Sequence, residues 1–200
     1  MPTIGLTTFV DFIAASGLKR VKVVEQSRRE DNLPYNVMRD FYKRLRESTV
    51  SFANGNMNLE EFQTFIEELS DQKKRTNFPE AIQGFEDFWV DSGFQNLASP
   101  RGSYARGQLS VTINPELNIR GNGGQTAVKC WFKKEPVPRT RLNYILAAMR
   151  LGLNAFDGDV AILDVRRATL HQISNVDRNL EILLRGEADG FMSMWDAFAE

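Results

Sequence analysis

A chain of 200 residues, 42% of them hydrophobic and 26% charged, is long enough to bury one sizeable core. Its net charge of −1 supplies no global attraction to nucleic acid or to an anionic membrane, and no stretch approaches the ~20 apolar residues of a transmembrane helix, so no membrane partner is expected. The single cysteine, Cys130, excludes an internal disulfide framework and agrees with a reducing, cytoplasmic setting, and residues 1–6 lack the basic and apolar regions of a secretory signal.

The first half is written in helical period. Thr8 and Asp11 have the spacing of a capping box, Phe9, Phe12 and Ile13 supply an apolar stripe, and Gly17 stands where a helix over 8–16 would stop. Residues 19–30 mix strand-favouring Val21, Val23 and Val24 with long polar side chains, and helix is the preferred reading. After a break at 31–34, Val37, Met38, Phe41, Leu45 and Phe52 recur at helical spacing. Asn58 and Glu61 then form a second capping-box pattern, with Leu59, Phe62, Ile66 and Leu69 facing inward, and Pro79 opens a helix that buries Ile82, Phe85 and Trp89. The aromatic stripes read as core.

Residues 92–107, with three glycines and a proline, read as a connection. Strand alternation begins at Leu109, Val111 and Ile113 and returns over 126–132, after Gly121-Asn122-Gly123-Gly124. These arms predict an antiparallel hairpin, kinked at Pro115. Leu142, Ile145, Leu146 and Met149 mark a helix ending near Gly152, residues 160–165 a buried strand with 169–173 as its continuation, and the stretch after Asp177 a last helix. The class expected is therefore α+β, a helical N-terminal layer followed by a small mixed β-sheet with flanking helices. The change of period divides it into a helical region, 1–98, and a mixed α/β region, 99–200, packed as one compact unit.

Several chemistries find no support. The lone His171 and lone Cys130 cannot make a zinc site, and Cys130, alternating with Val128 and Phe132, reads as a small buried hydrophobe. The Gly121–Gly124 turn lacks the lysine and hydroxyl of a P-loop. Charge is segregated along the chain: nine acids face three bases over 59–91, whereas nine bases face only Glu116 and Glu135 over 99–150. Either the two layers attract each other within the fold or the basic segment meets phosphate.

One constellation remains. Pro115-Glu116, followed after ten residues by Ala127-Val128-Lys129, resembles the PD-(D/E)XK nuclease pattern, and the expected order of helix, strand meander, helix and strand is similar to that family's core. The resemblance implies that Glu116 would hold a divalent metal and that Lys129 would support the attacking water, so that both would be catalytic. Mg²⁺ needs several hard oxygen ligands, however, and Ala127 stands where the pattern has its second carboxylate. Glu86, Asp87 and Asp164 are the acids that could replace it. Residues 111–116, 127–133 and 162–170 also resemble a family of uncharacterised bacterial proteins, a likeness that covers most of the chain and implies a bacterial source but no activity.

Two further readings need no catalysis. Lys129, Trp131 and Lys133 share one strand face, so two cations would flank an indole able to stack on a base, with Lys134, Arg139 and Arg141 just beyond. Phe191, Met194, Trp195 and Phe198 could give the last helix a surface for a protein partner. The reading favoured is a non-enzymatic or degenerate nuclease-like module that binds nucleic acid or a protein, with no cofactor. The alternative is a Mg²⁺-dependent nuclease acting through Glu116.

Overall fold

Two β-sheets and eight α-helices organise the residues that the computed structural model describes, 1–31 and 40–198. β1 (Thr3–Gly5), β4 (Leu109–Ile113) and β3 (Gly102–Arg106) form a three-stranded sheet in that order, with β1 parallel and β3 antiparallel to β4. The second sheet runs β2 (Gln95–Leu97), β5 (Leu117–Gly121), β6 (Gly124–Trp131), β7 (Asp159–Asp164), β8 (Thr169–Ile173). All its neighbours are antiparallel except β6 and β7. A parallel pair requires a long crossover, which α7 (Arg139–Gly152) supplies.

The five-stranded sheet is buried on both faces. Period two sends Leu117, Val128, Cys130 and Leu163 to one side, where Leu45 of α3 (Lys43–Ala53), Phe62 of α4 (Leu59–Thr64) and Phe85 of α6 (Pro79–Trp89) cover them. Ala127, Val160 and Ile162 face the other way. They meet Phe12 of α1 (Leu6–Ala14), Val24 of α2 (Leu18–Asp31), Leu146 of α7 and Phe191 of α8 (Arg178–Ala197), together with the inner side of the smaller sheet. The α+β class is thus the one the sequence implies, and the N-terminal helices divide between the two faces. The phenylalanines of the N-terminal helical stripes are core, as in the stacked Phe52–Phe62 pair at 4.7 Å and the edge-on Phe12–Phe191 pair at 5.1 Å.

Local differences from the sequence reading have local causes. α1 begins at Leu6, before Thr8, and Gly5 caps it without a side-chain bond, because the pairing of β1 with β4 fixes the entry of the chain. Asp11 bonds Arg141 instead of completing a capping box. Residues 19–30 are helical, within α2. Val37 and Met38 lie outside the described residues, and the helix they were expected to share begins at Lys43. The Asn58–Glu61 capping box forms in both directions, at 2.8 and 2.9 Å. Beyond Thr64 the chain tightens into a 3-10 turn, Phe65–Glu68, which rotates the apolar stripe. Phe62, Phe65 and Leu69 are buried in consequence, while Leu59 is exposed and Ile66 is half-buried. A short helix, α5 (Gln72–Asn77), precedes α6.

The stretch 92–107 is more than a connection, since it contains β2 and β3. Both are edge strands with a single partner, and only Tyr104 among their residues is buried, so they carry no apolar alternation to read. The hairpin does turn at Asn122 and Gly123, but its first arm is β5 and not the predicted 109–113, which as β4 pairs with β1 and β3 instead. The expected kink at Pro115 is a transfer between sheets: β4 belongs to the smaller sheet and β5 to the larger. Residues 169–173 do not continue β7. After the 3-10 turn Val165–Arg167 and a left-handed Ala168 at φ 48°, they return antiparallel as β8. In α8, Phe191 is fully buried and Met194 and Trp195 pack against the core, so the exposed apolar side chains are Ile182, Leu183 and, beyond the helix, Phe198. Among the described residues no helix is long and apolar enough to cross a membrane.

Candidate functional site

Glu116 stands one residue before β5, and its N–H donates to the Val128 carbonyl at 3.0 Å, which extends the β5–β6 ladder by one step. Lys129 is therefore across the strands from it. Val128 and Cys130 point into the core beneath α3, α4 and α6, so Lys129 points to the opposite face, toward Glu116. The two meet directly. Lys129 Nζ donates to Glu116 Oε1 at 2.5 Å, and the Cys130 N–H donates to Glu116 Oε2 at 2.8 Å. Lys129 Nζ also lies 3.3 Å from the Asn114 carbonyl. Only 5% of the Glu116 side chain is exposed, against 23% for Lys129.

This pair forms part of the wall of a cleft of about 1550 Å³, bounded by the start of α1, by residues 40–56, by the β4–β5 crossing and by the end of β6. Other cations of the cleft are matched in the same way: Arg46 bonds Asp40, and Arg141 bonds Asp11. The buried Cys130 thiol is pushed well above its ordinary pKa, first by burial and then by the Glu116 charge, with Lys129 and Arg46 acting in the opposite sense. It is a neutral core group rather than a nucleophile, as its alternation in the sequence suggested.

The donor set around Glu116 does not fit a divalent metal. Mg²⁺ demands near-octahedral oxygen coordination, whereas Glu116 spends both oxygens on Lys129 and on backbone, and Ala127 is buried beside it without a donor. Asp164, in register with Trp131, is 3% exposed and is held by Arg167 Nη1 at 3.0 Å and by the Val137 N–H at 3.4 Å. Glu86 accepts from Gln63 at 2.8 Å and Asp87 from Gln83 at 2.9 Å, on α6, which covers the other face of the sheet. Among the described residues no three His, Cys, Asp or Glu side chains come together as a metal would require. His171 sits in β8 opposite Ile162, away from any such group.

The basic residues named from the sequence separate into two kinds. Lys129 and Arg141 are bound in ion pairs. Lys133 lies beyond the end of β6 and places its ammonium 5.0 Å from the centre of the Trp131 ring. Trp131 is half-buried against the core, and its indole N–H donates to the Glu135 carbonyl at 2.8 Å. Lys134 and Arg139 are exposed. The pair that neutralises Arg141 depends on Asp11, 130 residues away, and nothing local announces it, whereas Arg46 is matched by Asp40, six residues before it.

No family model, curated protein or solved structure matches this chain.

Proposed function

We propose that this chain is a non-enzymatic, nuclease-like binding module that takes nucleic acid along the rim of its cleft, in a bacterial cytoplasm. The observation that carries the reading is the Lys133–Trp131 pair at that rim, a cation resting on a partly exposed indole face beside exposed Lys134 and Arg139. Aromatic faces stack on bases and lysines neutralise phosphate, so one short loop offers both parts of nucleic-acid binding. The absence of catalysis is supported by Glu116, whose carboxylate is fully bonded where a metal would need it, and by Ala127 at the position of a second ligand.

The test is binding of labelled DNA and RNA at several salt concentrations, with Mg²⁺- and Mn²⁺-dependent cleavage followed on the same substrates. Binding that weakens steeply with salt, without cleavage, is expected. Cleavage that disappears in Glu116→Ala would instead favour the metal-dependent nuclease. A second reading, a protein-binding module, is favoured by Ile182 and Leu183, which are 56% and 44% exposed on α8. It gains ground if no nucleic acid binds at low salt.

A further inference from the structure

The loop after β6 is a ridge between two depressions, and it is clamped from beneath. Arg166 Nε donates to the Phe132 carbonyl at 2.9 Å, Arg167 Nη2 to the Lys134 carbonyl at 2.9 Å, and the Trp131 indole N–H to the Glu135 carbonyl at 2.8 Å. The ridge backbone is thus bonded to rigid elements while its two lysines are left to the surface. Lys133 borders the large cleft, whereas Lys134 borders a separate groove of about 390 Å³ between the ridge and α5.

That groove has a marked positive charge. Lys73 and Lys134 flank it, both exposed, and the Arg166 side chain, 2% exposed, lies in its wall. Arg166 is fixed by Glu80 Oε2 at 2.6 Å and by the Asn77 carbonyl at 2.9 Å, so it acts as a stationary charge. Among the described lining residues Glu80 is the one acid, against three cations. In the cleft, by contrast, Lys129, Arg46 and Arg141 are each matched by a carboxylate. Of the described cations bordering the two depressions, Lys73, Lys133 and Lys134 are the ones that no carboxylate pairs, with Glu135 beside them on the ridge.

We infer that this groove seats a backbone phosphate of single-stranded nucleic acid whose neighbouring base stacks on Trp131 across the ridge. The inference rests on the nucleic-acid reading above. Lys133 covers the indole in the free protein, and an arriving base takes that face while the lysine moves to a phosphate. A duplex keeps its base faces inside the stack and cannot make this exchange. Because the ridge is already held in place, little ordering of the protein opposes binding.

The experiment compares a labelled single-stranded oligonucleotide with its duplex, by anisotropy over a salt series, using wild type, Lys73→Ala/Lys134→Ala and Lys133→Ala. The wild type is expected to prefer the single strand and to show quenched tryptophan fluorescence on binding. The double variant should bind at least tenfold more weakly at low salt. Its plot of log K against log salt should flatten by about 0.7, the slope of one phosphate contact on a single strand. Lys133→Ala should keep the tryptophan quench while losing about as much slope. If the wild type binds but the double variant keeps its affinity and slope, the groove is not the phosphate seat, and the broader nucleic-acid reading stands. Equal or tighter duplex binding overturns the single-strand assignment, and no binding at low salt overturns both.

Discussion

Glu116 keeps 5% of its side chain exposed, so its role in stability is set by two bonds, from Lys129 Nζ and from the Cys130 N–H. Breaking a fully buried pair costs about 3–5 kcal/mol, but Lys129 is 23% exposed and can turn to water. Glu116→Ala should therefore destabilise by about 2 kcal/mol, and Glu116→Gln, which retains an acceptor for the backbone, by about 1 kcal/mol. Urea unfolding measures both, and equal losses would mean that the backbone bond contributes nothing. The neighbouring thiol supplies a pH prediction. Burial and the Glu116 charge raise the Cys130 pKa, so the folded state disfavours the thiolate. Below the ordinary thiol pKa of about 8.5 both folded and unfolded chains are protonated, and stability from this group is intact. As the pH rises past that value the unfolded chain ionises first, and stability should decline. A Cys130→Ala variant should lose that part of the decline, and the native thiol should resist labelling until the chain unfolds.

At the scale of elements, α6 and the turn after β7 approach so closely that only glycine fits between them. A Cβ on Gly84 would lie 2.1 Å from the Val165 carbonyl oxygen and 2.9 Å from the Arg166 Cα, both backbone atoms that cannot swing aside. Gly84→Ala should therefore cost about 3 kcal/mol despite alanine's higher helix propensity, a loss readable by thermal unfolding. No local pattern in the sequence singles out Gly84. What could be read in advance were elements with a strong internal period: α4 announced its capping box, α7 its stripe, and β5–β6 their turn. β2 and β3 were hidden because a sheet edge needs backbone partners and little apolar surface. The meeting of Glu116 and Lys129 was legible from the hairpin, since opposite charges across two strands attract. That Glu116 would also accept from backbone depended on the register of the hairpin, and Arg46 is neutralised from six residues away, but the neutralisation of Arg141 by Asp11 depended on packing between segments far apart in sequence. The separation of the basic segment into paired cations and a surface ridge has the same origin.

For the whole molecule, the arrangement of the two cores decides how it unfolds. α3, α4 and α6 cover one face of the five-stranded sheet, while α1, α2, α7 and α8 cover the other with the smaller sheet. Neither core can keep its apolar contacts if that sheet dissolves, because residues of β6 and β7 alternate between the two. Arg166 adds a further tie, joining the Phe132 carbonyl to Glu80 and Asn77. The expectation is one cooperative transition, although chains of this length often unfold in steps. The tryptophans allow a direct measurement: Trp89 packs against the core beneath α6, and Trp131 and Trp195 against the other. Variants that retain Trp89 alone or Trp195 alone, with the others replaced by phenylalanine, report each core separately. Their urea transitions should coincide with each other and with loss of helical circular dichroism. A Trp89 signal that melts well before the Trp195 signal would show that the segment 40–98 can detach while the sheet remains folded, and that the two cores are independent units.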